Sequence, residues 1–250
     1  MKTPWIIIPK PKPKPKPSLR LFCFPYAGSG ASTYHNWSTL LPPEIEVCSI
    51  QLPGRESRTK EPLFYQIEPL INALTPSILP LLDVPFIFFG HSLGALICFE
   101  LARKLRKLKQ PNPLHLFVSA REAPQNPLTK PPVHQLPDAD FIKELSSFNG
   151  TPKAVLQNVE LMNYFLPILR ADLAINETYK YTPEPPLNCS ISVFGGLQDL
   201  IVSSDSLAAW NAQTNCNFSS RIFSGDHFFL KSQQQLLLEA IDSESNNYIK

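Results

Sequence analysis

The sequence has few charged residues and no long hydrophobic run. Only 18% of its 250 residues are charged, which excludes a highly charged nucleic-acid binder, while 43% are hydrophobic, which excludes a disordered chain. The uncharged windows between Glu68 and Asp83 and between Asp83 and Glu100 are shorter than the roughly 20 residues that a membrane helix needs. We therefore expect neither nucleic acid nor a membrane among the binding partners.

Cysteine is scarce and follows no pattern of a metal or disulfide site. The five cysteines are an odd number and form no CxxC pair: Cys23, Cys48, Cys98, Cys189 and Cys216. We expect reduced thiols and no bound metal. We also expect no secretory signal, because the apolar run that begins at Trp5 ends after four residues at Pro9. These features predict a cytoplasmic protein.

Proline, by contrast, is abundant, and it alternates with lysine over residues 9–17. This composition favours an extended polyproline II spacer that cannot form a packed core. The first 20 residues carry six basic residues and no acid, so the rest of the chain is mildly acidic although the net charge is +2. We predict a Lys/Pro-rich tail over residues 1–18 and a single domain over residues 19–250.

Strand-like and helix-like segments alternate along that domain. Six short apolar runs rich in β-branched and aromatic residues predict strands at 19–24, 46–51, 85–89, 114–119, 190–194 and 217–223. Helical patterns occur at 32–41, 67–82, 93–108, 203–214 and 230–241. This alternation predicts an α/β protein with a mostly parallel central sheet and helices on both faces.

One long segment interrupts the alternation. About 70 residues between Ser119 and Ser190 contain no convincing strand, whereas a βα loop in such a fold usually has only 2–6 residues. The segment contains helical stretches near residues 137–148 and 159–177. We predict a helical lid insertion over about residues 120–185, above the carboxyl edge of the sheet.

The motif GxSxG occurs once in the context that its chemistry requires. Gly90-His91-Ser92-Leu93-Gly94 follows the strand candidate at 85–89 and opens the helix candidate at 93–108. In a nucleophile elbow the serine occupies a sharp, strained turn, and the flanking glycines let strand and helix approach closely. We therefore predict that Ser92 is a catalytic nucleophile.

A serine nucleophile needs a base, which in this type of fold comes last in the chain. His35 precedes the elbow and His91 adjoins Ser92, while His115 begins a strand candidate and His134 lies in the insertion. His227, between the last strand and the last helix, remains as the predicted base.

The acid must lie between Ser92 and His227, at the carboxyl end of a strand. Asp199 meets this condition, because it follows the strand segment SISVFGG by three residues. Asp226, next to the predicted base, and Asp172, in the insertion, stay open as alternatives.

An oxyanion hole completes the predicted site. In this fold one N–H comes from the residue after the nucleophile, here Leu93, and a second from the loop after an early strand. The loop is Phe24-Pro25-Tyr26-Ala27-Gly28-Ser29-Gly30, and we expect Ala27 to be its donor.

Six segments together resemble one known family. The sequence is similar to the type II thioesterases of nonribosomal peptide and polyketide synthetases in LRLFCFPYAGSGAS, EVCSIQLPGRESR, FFGHSLGALICFELARKL, LPILRADLAINETYKY, FGGLQDLIV and GDHFFL. One departure is Ser29, where many members of the family have a second glycine after Gly28.

The resemblance implies an α/β-hydrolase fold and a serine thioesterase that edits antibiotic synthetases. Such an enzyme removes aberrant acyl or aminoacyl groups from the phosphopantetheine arm of carrier proteins. It implies Ser92, Asp199 and His227 as the triad, Ala27 and Leu93 as oxyanion donors, no cofactor, and a monomer with carrier proteins as partners. The alternatives are a carboxylester hydrolase on small or lipid esters and an inactive hydrolase fold that binds carrier proteins.

Overall fold

A parallel sheet forms the centre of the molecule. The computed structural model describes residues 3–9, 17–127, 131–147, 150 and 153–249. Its strands are β1 (Ile6–Ile7), β2 (Leu19–Phe24), β3 (Ile45–Ile50), β4 (Phe86–His91), β5 (His115–Ser119), β6 (Ser190–Gly196) and β7 (Phe218–Phe223). They lie in the order β1-β3-β2-β4-β5-β6-β7, and every neighbouring pair except β1–β3 is parallel. The predicted α/β class with a mostly parallel sheet is confirmed.

The central strands are buried on both faces because nearly every residue in them is apolar. Successive side chains of a strand point to opposite faces. Phe88 and Phe89 accordingly belong to separate hydrophobic cores, Phe88 with Phe22 on one face and Phe89 with Phe117 on the other. The continuous apolar runs in the sequence thus reflect a sheet covered on both sides.

Helices supply that cover. The described helices are α1 (Trp37–Leu40), α2 (Ile67–Ile78), α3 (Leu93–Lys107), α4 (Asp138–Ser147), α5 (Lys153–Leu156), α6 (Val159–Thr178), α7 (Ser204–Ala208), α8 (Phe229–Ser232) and α9 (Gln234–Ser245). The apolar sides of α2 and α3 belong to one core, and those of α1 and α9 to the other. No helix in this part of the chain is long and apolar enough to cross a membrane.

Four of the five expected helices are shorter than the sequence pattern predicts or are interrupted. The helix expected at 67–82 ends at Ile78 and is followed by a 3₁₀ helix (Leu79–Leu81), and that expected at 230–241 is divided between α8 and α9. The segment expected as one helix at 32–41 is a 3₁₀ turn (Ala31–Tyr34) followed by α1, and that at 203–214 is α7 followed by a 3₁₀ helix (Ala209–Gln213). The segment at 32–41 contains residues of low helix propensity, such as Thr33 and Asn36. Tertiary packing therefore decides where a helix forms in it.

The segment between β5 and β6 holds α4, α5 and α6. Apolar residues of these helices form a third hydrophobic cluster of their own, which includes Phe141, Leu145 and Met162. Further along α6, Ile175 belongs to the main core under the sheet. The first part of the insertion therefore packs on itself, while the second half of α6 packs on the body of the domain.

The N-terminal residues depart from the expected tail. Ile6 and Ile7 form β1 and pair antiparallel with Ile50 and Ser49 at the edge of the sheet. The tail predicted over residues 1–18 is therefore wrong for residues 3–9, while the Lys/Pro run at 10–16 lies outside the described residues. A strand of only two residues has too little sequence pattern for its partner to be predicted.

Trp5 fixes this added strand. Its side chain is buried, its ring lies 6.2 Å from the ring of Phe64, and the Arg58 guanidinium stacks 4.0 Å above it. Its carbonyl accepts a hydrogen bond of 2.8 Å from the Gln51 N–H. An aromatic ring with a cation over its face gains both apolar burial and electrostatic attraction.

We predict that Trp5→Ala destabilises the protein. Because truncation of a buried tryptophan costs about 3–5 kcal/mol in a full core and this site lies at a sheet edge, the expected loss is about 2 kcal/mol. Urea denaturation measures it, with Ile8→Ala at a more exposed position as the control. Equal stability of the two variants would contradict the role assigned to β1.

Candidate active site

The turn between β4 and α3 holds Ser92 in a strained conformation. Its backbone has φ 52° and ψ −112°, an unfavourable region for a residue with a Cβ. Its N–H donates a 2.7 Å hydrogen bond to the carbonyl of Ser119 at the end of β5. The side chain therefore lies at the carboxyl edge of the sheet and at the N-terminus of a 15-residue helix. This is the geometry predicted for the elbow.

The two motif glycines make this turn possible. A Cβ on Gly90 would overlap the backbone of Gly94, and a Cβ on Gly94 would overlap the Phe24 carbonyl at the end of β2. Close approach of three backbone segments therefore requires glycine at both positions.

His227 and Asp199 form a buried hydrogen-bonded pair. The Nδ1 atom of His227 lies 2.8 Å from Oδ2 of Asp199, and the side chains are 8% and 0% exposed. With Nδ1 protonated to donate to the carboxylate, Nε2 is left as the basic nitrogen. The structure thus orients His227 in the tautomer that a general base needs.

The environment keeps Asp199 ionised. Burial would raise the pKa of this carboxyl, but the hydrogen bonds from His227 and from the N–H groups of Ile201 and Val202, at 2.7 and 3.1 Å, lower it overall. A carboxylate with a lowered folded-state pKa stabilises the fold above its unfolded-state pKa, and that stabilisation is lost as pH falls through the folded-state pKa.

Hydrogen bonds join the loops that carry Asp199 and His227. The Gln198 N–H donates to the Gly225 carbonyl at 2.9 Å, and the Gly225 N–H donates to Oε1 of Gln198 at 2.5 Å. A Cβ on Gly196 would overlap the Asp226 carbonyl. These contacts fix the position of Asp199 relative to His227.

His91 is the second residue of the elbow, and its ring contacts the ring of His227. It is fully buried, its ring centroid is 5.4 Å from that of His227, and its Nδ1 lies 2.9 Å from Oγ of Ser119. Burial lowers its pKa well below the usual range, and the neighbouring His227 lowers it further, so the ring stays neutral. His227 is hydrogen-bonded to Asp199 and not to Ser92. Catalytic hydrogen bonds in unliganded enzymes are often long and tighten when substrate binds.

The two alternative acids have other partners. Oδ1 of Asp226 accepts a 2.9 Å hydrogen bond from the Phe228 N–H at the start of α8. Asp172 on α6 forms a buried ion pair with Arg55. The geometry therefore favours Asp199 over both.

The candidate oxyanion loop is a tight turn. The N–H and Oγ of Ser29 both donate to the Tyr26 carbonyl, at 3.0 and 2.8 Å, and Gly28 has φ +79°. A type II turn needs this positive φ at its third residue, which here is glycine. Ala27 is the second residue of the turn. Ser29, the departure from the family pattern, closes the turn through its hydroxyl.

The sequence analysis missed the residues that hold this turn. Arg55 donates to the Ser29 carbonyl at 3.2 Å, and Gln51 accepts from the Ala31 N–H at 3.0 Å. Glu56, itself at φ 49°, accepts a 2.6 Å hydrogen bond from the Ser32 hydroxyl. The available signal was Arg55, a charged residue five residues after β3, since a charge that becomes buried needs a partner.

Potential metal ligands are scattered over the described ranges of the chain. Within them, no group of three or more His, Cys, Asp or Glu side chains could hold a metal ion.

Comparison with known proteins identifies the family. The thioesterase domain model matches residues 19–244. The chain is also 50% identical over 219 residues to gramicidin S biosynthesis protein GrsT of Aneurinibacillus migulanus, a match that spans 88% of this chain and 86% of GrsT. The chain belongs to the thioesterase family.

Solved structures of thioesterases share its architecture. The type II thioesterase BorB from the borrelidin biosynthetic cluster superposes with a TM-score of 0.87 at 34% identity and 98% coverage of both chains. RedJ, a thioesterase from the prodiginine pathway of Streptomyces coelicolor, gives 0.86 at 35% identity, covering 91% of this chain and 86% of RedJ. The expected α/β-hydrolase fold, the resemblance to type II thioesterases and the assignment as a thioester hydrolase are confirmed.

We predict that Asp199→Asn lowers kcat by about 10³- to 10⁴-fold with little change in KM, because an amide at this position favours the wrong tautomer of His227. Asp226→Asn is the matched control, since it changes the neighbouring carboxylate and leaves the Asp199–His227 contact intact. Steady-state hydrolysis of a small acyl thioester measures both. A larger loss in Asp226→Asn would assign the acid to Asp226.

Proposed function

We propose that this thioesterase releases acyl or aminoacyl groups from the phosphopantetheine arm of carrier proteins, with Ser92, His227 and Asp199 as its triad. The observation that carries the proposal is the buried Asp199–His227 hydrogen bond at the same sheet edge as the strained Ser92 turn. That combination is the arrangement of a nucleophile, a base and the group that orients the base.

The first half of the reaction forms an acyl-enzyme. Nε2 of His227 takes the proton of Ser92 Oγ, and Oγ attacks the thioester carbonyl carbon. The N–H groups of Ala27 and Leu93 stabilise the negative charge that develops on the carbonyl oxygen. The carbon–sulfur bond then breaks, the pantetheine sulfur leaves with the proton that His227 gives back, and the acyl group stays on Ser92.

The second half repeats these steps with water. His227 removes a proton from a water molecule, the hydroxide adds to the acyl carbon, and Ser92 leaves with the proton. The product is a free carboxylic acid, and every step uses side chains and backbone groups of this chain.

Carrier proteins as partners are supported by the relatives. GrsT is named for gramicidin S biosynthesis and BorB comes from the borrelidin cluster. We propose the same setting for this chain, as an editing enzyme that removes aberrant groups from a nonribosomal peptide or polyketide synthetase. We further propose that it acts as a monomer in the cytoplasm, where its cysteines, all free among the described residues, stay reduced.

We predict that Ser92→Ala abolishes turnover and leaves the fold intact, because alanine keeps the Cβ and removes only the nucleophilic oxygen. A fluorophosphonate should add its mass to the peptide that contains Ser92 in the wild type and to no peptide in the variant. Thermal denaturation serves as the control for folding. A labelled residue other than Ser92 would overturn the assignment of the nucleophile.

We predict a preference for carrier-bound substrates. Contacts with the carrier surface supply binding energy away from the reacting atoms, so kcat/KM for an acyl-carrier protein should exceed that for the same acyl group on N-acetylcysteamine by about tenfold or more. Mass spectrometry of a panel of acylated carrier proteins, before and after incubation, gives the acyl preference. Equal rates on both substrates, with faster hydrolysis of oxygen esters, would indicate a general carboxylester hydrolase.

A further inference from the structure

A buried charged group on the lid touches the oxyanion turn. Asp172 lies on α6 and is 1% exposed. Its Oδ2 accepts hydrogen bonds from the Gly28 N–H at 2.8 Å and from Arg55 Nη1 at 2.5 Å, while Oδ1 accepts from Arg55 Nη2 at 2.8 Å. The triad does not use this carboxylate, although the structure places it at the same edge of the sheet.

The Asp172–Arg55 ion pair orients the backbone groups of the turn as well as neutralising two buried charges. Burial of two charges costs more than an isolated ion pair returns, so such a pair persists where further hydrogen bonds complete it. Arg55 grips Asp172 with two parallel bonds, a geometry that fixes both planes. Arg55 also donates to the Ser29 carbonyl at 3.2 Å, which is part of the turn, and its Nε donates to the Pro53 carbonyl at 3.4 Å.

The hydrogen bond to Gly28 acts on the central peptide of the turn. The peptide that joins Ala27 to Gly28 can point either way in a tight turn, and its orientation separates type I from type II. An anionic acceptor on the Gly28 N–H favours one orientation. Leu169, one helical turn before Asp172, packs against Gly28 so closely that a Cβ there would lie 2.6 Å from its Cδ2. Helix α6 therefore contacts the turn in two ways, through the Asp172 carboxylate and through the apolar side chain of Leu169.

We propose that Asp172 and Arg55 are positioning residues that hold the turn on which the Ala27 N–H lies, Asp172 through the Gly28 N–H and Arg55 through the Ser29 carbonyl, so that the docked helix α6 supports the oxyanion hole. This inference rests on the assignment of Ala27 as an oxyanion donor in the proposed function. Displacement of α6 would release the Gly28 N–H and loosen the turn. The contact thereby couples the position of the lid helix to stabilisation of the transition state.

The test compares two ketones that carry the same acyl chain. A trifluoromethyl ketone reacts with Ser92 to give an alkoxide that occupies the oxyanion hole, whereas the methyl ketone reports ground-state binding of the chain. In the wild type the trifluoromethyl ketone should bind about 100-fold more tightly or better, as expected of a transition-state analogue. Absence of that preference in the wild type would overturn the proposed oxyanion hole itself and with it the present inference.

Asp172→Asn is the first variant, because it keeps the side-chain volume and removes the charge. We expect a loss in kcat of about 10- to 100-fold on acyl-N-acetylcysteamine, less than the complete removal of an oxyanion donor. KM and methyl ketone affinity should change less than twofold, and the preference for the trifluoromethyl ketone should fall in parallel with kcat. An unchanged preference in a folded variant would overturn the proposal.

Two further variants separate positioning from stability. Glu46→Gln removes an ion pair with Arg20 at the opposite edge of the sheet, 2.6 Å between Nε and Oε2, and should lower the melting temperature without changing the ketone preference. The double variant Arg55→Met with Asp172→Leu replaces the buried charges by apolar groups, which often restores stability. We expect its melting temperature to recover towards wild type while kcat stays low. Recovery of kcat together with stability would assign the pair a purely structural role.

If Asp172→Asn does not fold, Arg55→Lys replaces it as the decisive variant. Lysine keeps a cation beside Asp172 but cannot form the bidentate hydrogen bonds of the planar guanidinium. The same ketone preference is then measured, with a reduced preference expected and an unchanged one contradicting the proposal.

Discussion

The close approach of β4, α3 and the end of β2 is the constraint on which the site depends. Glycine is the only residue type that fits at positions 90 and 94, where these three backbones meet. Ser92, between the two glycines, is forced to a positive φ. The strain costs on the order of 1–3 kcal/mol. Two interactions offset this strain. The Ser92 N–H donates a hydrogen bond to the end of β5, and the apolar residues of α3 are buried in the main core. The body of the domain thus keeps Ser92 at the carboxyl edge of the sheet.

Parallel topology brings the other parts of the site to the same edge. Each strand from β2 to β7 ends there and contributes one element: the turn at Ala27, the loop at Arg55, the elbow, the Ser119 carbonyl, and the loops of Asp199 and His227. Because the strands lie side by side, residues distant in sequence become neighbours. Their loops can then be tied to one another by hydrogen bonds such as those between Gln198 and Gly225.

Much of this arrangement was predictable from the sequence, because it depends on local patterns. Apolar runs located the six main strands, and the glycine spacing located the elbow at Ser92. Chain order and position after a strand singled out Asp199 and His227, which the structure places in contact. Strand β1 could not be predicted, since a strand of two residues is too short to show the alternating pattern of a strand. The contacts of Asp172 were equally hidden, because Arg55 is 117 positions away and the lid has no local signal for its docking.

The contacts of α6 divide the insertion between β5 and β6, which we propose to be a lid, into two parts with different partners. Its early residues face α4 and α5 in a cluster separate from the main core, and Leu161 and Tyr164 are substantially exposed. Further along, Asp172 is bound to the body by charge and Ile175 by apolar packing. An opening that left Asp172 in place would separate the first cluster, the 3.2 Å hydrogen bond from the Glu56 N–H to the Tyr164 hydroxyl and the exposed Arg170–Asp138 ion pair. One that moved all of α6 would also have to separate a buried ion pair. Breaking such a pair leaves uncompensated charge and is strongly unfavourable. We therefore expect any opening of this insertion to occur through α4, α5 and the start of α6, with the turn at Ala27 and Gly28 held throughout.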